Sequence, residues 1–389
     1  MRLLLVLTLA GSASTGCKSE SAGEPGGTSP AATGAKANTE PPVAGDAVGA
    51  AATAAAADTG TGAKPKPRPS LVAAVADLPR ARFEEDLRFI ARERKNDTAA
   101  HDEIADRCAE RFAAAGFEVE RQTFSLDDGS EAVNVIGFRA GRDPDAAAVV
   151  LGAHYDHIAG CAGADDNASG TAVLLTAVDR LGGVDARKPL LVACWDGEEE
   201  GLLGSEAHAA ALAAAGREIE LAVSLDALGF TDMRPNSQSL PDGLELIFPK
   251  QIAALDARER RGDFIGAMYD DHAAQAGALF VAYAGALKLP VLDVMIPWPL
   301  RLADATAQLR RSDHASFWRH EVPAMLINDT ANFRTKTYHC WEAPDLVETL
   351  DLDFAFRVAQ TTTAMVAHLL EPDSAGLDAP GATREEPAQ

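Results

Sequence analysis

Apolar side chains recur at helical spacing over 83–94, with Leu87, Phe89 and Ile90 on one stripe, and again over 101–115, with Ile104, Cys108 and Phe112. Gly116 supplies a C-terminal stop for the second of these helices. Short extended runs follow at 118–124 and 133–138. From there, continuous apolar runs of strand length alternate with helical periods. A buried strand is predicted at 146–151, a helix at 169–181, a strand at 190–195, a helix at 204–215 and a strand at 221–225. Runs at 244–248, 291–296 and 322–327 read as further strands, and a last helix is expected over 351–370. The stretch 249–271 carries no interpretable motif and is expected to be loop.

Strands that are apolar throughout must be covered on both faces, and helices between them supply the crossovers of a mainly parallel sheet. The expected architecture is α/β: a three-layer α/β/α sandwich with a mixed, mainly parallel central sheet. Ligands of such sheets gather at the edge just past the C-terminal ends of the strands. The residues that follow each strand are therefore where chemistry is expected.

Composition changes at both ends of the 389-residue chain. Residues 1–16 join Arg2 to an apolar run over 3–10 and a small-residue segment, the plan of a secretory signal and too short for a mature membrane span. The segment closes on Ser14, Thr15, Gly16 and Cys17, which resembles a bacterial lipoprotein signal whose cysteine is lipidated after cleavage. The leucine usual three residues before that cysteine is absent, and ordinary secretion is the alternative. From 18 to about 70 the chain is almost entirely Gly, Ala, Ser, Thr, Pro, Glu and Lys, too poor in large apolar groups to offset its ordering entropy. The expected organisation is a signal peptide with its cysteine over 1–17, a disordered tether over 18–70, one catalytic-sized domain over 71–372 and a disordered tail over 373–389.

A formal net charge of -23 argues against nucleic acid or an anionic membrane surface as a partner. Membrane attachment is left to a lipid on Cys17, and an exported, envelope-anchored or secreted monomer is expected. Cys108, Cys161, Cys194 and Cys340 remain, in a compartment that permits disulfides, at spacings that match no cysteine-based zinc site. Free buried thiols are expected, with a Cys161–Cys340 bridge as the alternative because both lie in loops assigned to the site.

The strand at 146–151 runs into His154 and Asp156, so an imidazole and a carboxylate that could orient it follow one β-end. About ten residues on, Asp165 and Asp166 open a helix from a turn-rich stretch. The strand at 190–195 ends in Asp196, Glu198, Glu199 and Glu200, where adjacent carboxylates can divide metal binding from proton transfer. Asp226 follows the strand at 221–225, and His339 follows the one at 322–327. Singly, each is more often a solvated loop residue. Together, separate β-ends deliver nitrogen and oxygen donors of the kinds zinc prefers to one edge.

The motifs GAHYDH, GADDNASG, WDGEEEGLLGS, VSLDALG, SDHASFW and DTANFRTKTYH, followed by ETLDLDF, occur in this order. They resemble the co-catalytic di-zinc aminopeptidases of peptidase family M28 over most of residues 80–371. The resemblance implies two Zn2+ ions bridged by Asp166, one also held by His154 and Asp226, the other by Glu199 and His339. It implies Glu198 as general base, Asp156 as the carboxylate behind His154, and hydrolysis of the N-terminal bond of peptides or proteins by a metal-bridging water. His314 matches a position near the substrate, with a structural role against Phe317 and Trp318 as the alternative. His157, Asp165, Asp196 and Glu200 receive no ligand role. Members usually carry threonine after the last histidine and aspartate four residues beyond it; here Cys340 follows and Asp345 comes two residues late. The alternatives are a glutaminyl cyclase of the same fold with one zinc, a carboxypeptidase using Arg311 or Arg334, and an inactive surface-binding lipoprotein.

Overall fold

Eight strands form one sheet: β1 (Glu118–Ser125), β2 (Glu131–Arg139), β3 (Ala148–His154), β4 (Leu190–Trp195), β5 (Ile219–Leu225), β6 (Ile265–Asp270), β7 (Val291–Ile296) and β8 (Ala324–Asn328). The computed structural model describes residues 65–372; the signal-like segment, Cys17, most of the tether and the tail lie outside the described residues. The strand order is β1-β2-β4-β3-β5-β8-β6-β7. Strands β4, β3, β5 and β8 run parallel, as do β6 and β7, while β1 with β2, β2 with β4, and β6 with β8 are antiparallel. Every residue of β3 and β4 is buried, as an unbroken apolar run requires.

Alternate residues of the central strands feed two cores. Val149, Leu151, Val192 and Val223 face one side, with α1 (Pro69–Ala76), α2 (Arg80–Ile90), α3 (Ala99–Ala114), α4 (Gly170–Leu181), α8 (Ala274–Ala286) and α10 (Leu352–Leu369). Val150, Leu191, Ala193 and Trp195 face the other, with α5 (Leu203–Ala214), α6 (Leu244–Ile247) and α9 (His314–Arg319), while α7 (Pro249–Asp256) lies against α6 and β7. The three-layer, mainly parallel architecture is thus present. Thr98 and Asp351 start α3 and α10 by accepting hydrogen bonds from the backbone N–H of His101 and Phe354. Among the described residues, no helix is long and apolar enough to cross a membrane.

Three expectations are corrected. The run 244–248 is helical rather than extended: a strand would put residues 244, 246 and 248 on one face, but Leu244 and Phe248 are buried while Leu246 is 84% exposed. The stretch 249–271 is not loop, since it holds α7 and the buried strand β6. Its glycine and alanine weaken the apolar signal of β6, and α8 is equally small-residue rich. Gly277 of α8 lies under Tyr269 of β6, where a Cβ would come within 2.0 Å of the ring. Finally, the four cysteines are not free thiols. Cys108 of α3 is bonded to Cys194 of β4, and Cys161 to Cys340.

Candidate metal centre

The parallel register sets His154 opposite Trp195, so β3 and β4 end together and release their following loops at one edge. Asp226 follows β5 at the same edge, where its carbonyl accepts from Asn328 Nδ2 of β8 at 2.6 Å. Asp166 arrives on the turn before α4, whose Asn167 side chain is tied to the Leu225 carbonyl at 2.8 Å. Within this frame His154 Nε2 lies 3.3 Å from Asp166 Oδ1 and 3.8 Å from Asp226 Oδ1. His339 Nε2 lies 3.0 Å from Glu199 Oε2 and 3.4 Å from Asp166 Oδ2. Asp166 therefore turns one oxygen to each histidine.

The donor set fits a pair of divalent cations. His154, Asp166 and Asp226 form one compact group, and His157, Asp166 and Glu199 another, each with its donor atoms within 4.8 Å of one another. The buried Nε2 atoms of His154 and His339 have no hydrogen-bond partner among the described residues, although carboxylates surround them. Burial opposes the charge on Asp166, yet the His154 and His339 rings hold its carboxyl well below the usual range. Nitrogen and carboxylate donors in this crowded arrangement suit zinc.

Outer residues hold the donors in place. Asp156 Oδ1 lies 3.5 Å from His154 Nδ1, and its two oxygens accept the backbone N–H groups of Glu198 and Glu199 at 3.2 and 3.1 Å. One carboxylate thus positions the imidazole and the glutamate pair. Asp345, displaced by two residues in the sequence, still reaches the opposite loop, accepting from the N–H of Asp165 at 3.0 Å and of Asp166 at 3.2 Å. Asp165 points away from the donors, accepting from Gly229 N–H at 2.8 Å, and burial followed by the charges of Asp329 and Asp345 pushes its carboxyl well up.

Sequence reasoning missed Arg94. Its fully buried guanidinium donates to the carbonyls of Tyr155 (2.8 Å), Ala162 (2.5 Å), Gly163 (2.9 Å) and Asp166 (3.1 Å), joining the His154 loop to the Asp166 loop. Burial lowers its pKa to about 10, against the pull of Asp166, Asp345, Asp156 and Glu199. Nothing near Arg94 in the sequence signals this, because its partners are 61 to 72 residues away. His157 was assigned no ligand role, yet its Nδ1–H donates to Glu199 Oε1 at 2.7 Å, within the second donor group. Its spacing of three from His154 was the available signal.

Glu198 lies beside the donor groups without belonging to either. Burial pushes its carboxyl well above the usual range; Glu199, Asp313 and Asp226 reinforce the shift and His154 opposes it. A cavity of about 160 Å³ opens here, with Asp166, Glu198 and Asp226 in its wall and an apolar surface beyond that includes Leu240, Phe248, Met268 and Val294. His314, by contrast, is fully buried. Its Nε2–H donates to the Leu309 carbonyl at 2.9 Å and its ring meets Trp318 edge-on at 4.5 Å, which are the contacts of the structural alternative. Its neighbour Asp313 is one of the carboxylates that raise Glu198, and burial pushes the Asp313 carboxyl itself up to about 7.

The fold and the donor groups define an α/β protein with nitrogen and carboxylate donors gathered at one sheet edge, where they could hold metal ions. Residues 134–278 match the model of Peptidase family M28. The chain is 29% identical over 252 residues to the uncharacterized protein YfbL of Escherichia coli, covering 60% of this chain and 71% of that one. It is 26% identical over 234 residues to a probable leucine aminopeptidase of Trichophyton verrucosum, covering 57% of this chain and 52% of the relative, so it spans about half of that protein. Among solved structures, a zinc aminopeptidase from Bacillus subtilis superposes with a TM-score of 0.56 at 14% identity, covering 75% of this chain and 96% of that one. A Macrostomum lignano glutaminyl cyclase does so with a TM-score of 0.57 at 17% identity, covering 80% and 96%. The chain is thus similar to M28 peptidases, with aminopeptidases among its relatives; at such identities the structural likeness speaks for the fold.

Proposed function

We propose that this protein is a di-zinc aminopeptidase that hydrolyses the N-terminal bond of peptides, with Glu198 as general base. The observation that carries the reading is Asp166 facing His154 with one oxygen and His339 with the other, between two donor groups. His154, Asp166 and Asp226 would hold one ion, and Asp166, Glu199 and His339 the second, with His157 bonded to Glu199. Zinc bound there would supply Lewis acidity to the scissile carbonyl and make the attacking water more acidic. The chain's own part is proton transfer and placement. A Glu198 carboxylate oxygen takes the water's proton and returns it to the leaving amine, which a carboxyl raised by burial does more readily near neutral pH. Asp156 keeps Glu198 and Glu199 in register through their backbone N–H groups. The apolar wall of the cavity suits a large apolar first side chain.

The glutaminyl cyclase reading is favoured by the shared fold, and His154 backed by Asp156 speaks against it by offering a second metal position. A metal count separates the two: about two zinc per chain is expected, and one would sink the di-zinc reading. In a panel of aminoacyl anilides, Glu198→Gln should lose roughly 10²–10⁴ in kcat, and a chelator should abolish turnover. Full activity in either case would show the mechanism to be wrong. Export as a monomer, anchored through a lipid on Cys17, completes the proposal and is tested by membrane fractionation of Cys17→Ala.

A further inference from the structure

We infer that Arg311 is a carboxylate-binding subsite at the mouth of the cavity, and that the preferred substrates are dipeptides, whose own C-terminal carboxylate it receives. The inference rests on the aminopeptidase reading. The charged residues in the cavity wall are Asp166, Glu198, Asp226 and Arg311. Asp166 and Asp226 are donors of the metal centre and Glu198 its proposed base, and Arg311 is the one cation among the described wall residues.

Its partners are both neutral: Nη1–H donates to Asn332 Oδ1 at 2.9 Å and Nη2–H to the Tyr338 hydroxyl at 3.1 Å. A guanidinium has five N–H donors, so several stay open to an anion. Ser312 and Asp313, which follow it, are buried and anchor the backbone, while the Arg311 side chain stands exposed at the rim. The two hydrogen bonds hold the fork in place before substrate arrives, which lowers the ordering cost of binding.

The position relative to the reacting bond fits a short peptide. The Arg311 guanidinium carbon is 5.7 Å from the Tyr338 ring, and that ring stacks on His339 at 3.9 Å, so the cation lies one ring from the metal centre. With the first side chain in the apolar wall and the scissile carbonyl at the centre, the leaving residue extends toward the rim. Consecutive residues are about 3.8 Å apart, so the carboxylate of a dipeptide is the group that reaches the guanidinium. A longer peptide presents a neutral carbonyl there and forgoes the charge-assisted bond.

The test compares kcat/KM for leucyl-phenylalanine, leucyl-phenylalanine amide and leucyl-aspartyl amide in the zinc-loaded wild type, Arg311→Gln and Arg311→Lys. The expected acid-to-amide ratio in the wild type is on the order of tenfold or more, the size of a hydrogen-bonded charge contact. It should fall to about one in Arg311→Gln and partly return in Arg311→Lys. A ratio near one in the wild type, or a ratio that survives Arg311→Gln, overturns the inference while leaving the aminopeptidase reading intact. A preference that follows the aspartyl side chain of the blocked peptide also overturns it. No cleavage of any of the three overturns the aminopeptidase reading and the inference together.

Discussion

Replacing Arg94 by methionine removes the cation that joins the two donor-bearing loops and keeps most of the side-chain volume. Four carbonyls, those of Tyr155, Ala162, Gly163 and Asp166, lose their side-chain donor in a buried region. Each buried acceptor left unmet costs about 1–3 kcal/mol, but the four share one relaxation and do not add. Against this, the variant no longer buries a guanidinium, a burial costly enough to lower its pKa to about 10. The net loss expected is about 3–5 kcal/mol, the range for removing one partner of a buried charge network. The loss should be larger in chelated than in zinc-loaded protein, because Asp166, Asp345, Asp156 and Glu199 then have neither zinc nor the guanidinium to offset their charge. Arg94→Lys should recover less than half, since one ammonium cannot span carbonyls on both loops. Urea unfolding at neutral pH with and without chelator measures all three proteins. A loss below about 1 kcal/mol in Arg94→Met, or wild-type stability in Arg94→Lys, would refute the reasoning.

Two further expectations concern stability. Burial holds the imidazoles of His208 and His314 down at about 4, below their ordinary 6.5, and His208 Nδ1 accepts a hydrogen bond from Trp195 that needs it unprotonated. The unfolded chain therefore binds protons that the folded chain refuses. Stability is full above pH 6.5, falls as pH drops toward 4 and levels off below it, by up to about 3 kcal/mol for each ring. His208→Gln should make the unfolding free energy less pH-dependent in that window, and an unchanged slope would contradict the assignment. The Cys108–Cys194 bridge joins residues 86 apart. Cys108→Ala with Cys194→Ala should cost about 2–4 kcal/mol in chemical unfolding, and an unaltered midpoint would show that the bridge does not restrain the unfolded chain.

What the sequence determined by itself is local and periodic. Strand β3 and its neighbours were legible because a strand buried on both faces needs an unbroken apolar run, and their ends were legible because polar side chains start where burial stops. His154, Asp166, Glu199 and Asp226 follow such ends or the turn between them, so their types and order already pointed to a metal edge. The strand β6 was hidden by small residues whose burial depends on what packs over them, as Tyr269 over Gly277 shows. Leu246 misled because a short apolar run suits a helix as well as a strand until solvent exposure separates the two. Tertiary structure alone decided the long-range partners. Arg94 was one arginine among many until four carbonyls from distant loops converged on it, and Asp345 looked out of register until its carboxylate met the N–H groups of Asp165 and Asp166. Likewise Cys108 could choose Cys194 only after α3 had packed on β4. Such pairings depend on directions in space, which a periodicity along the chain does not encode.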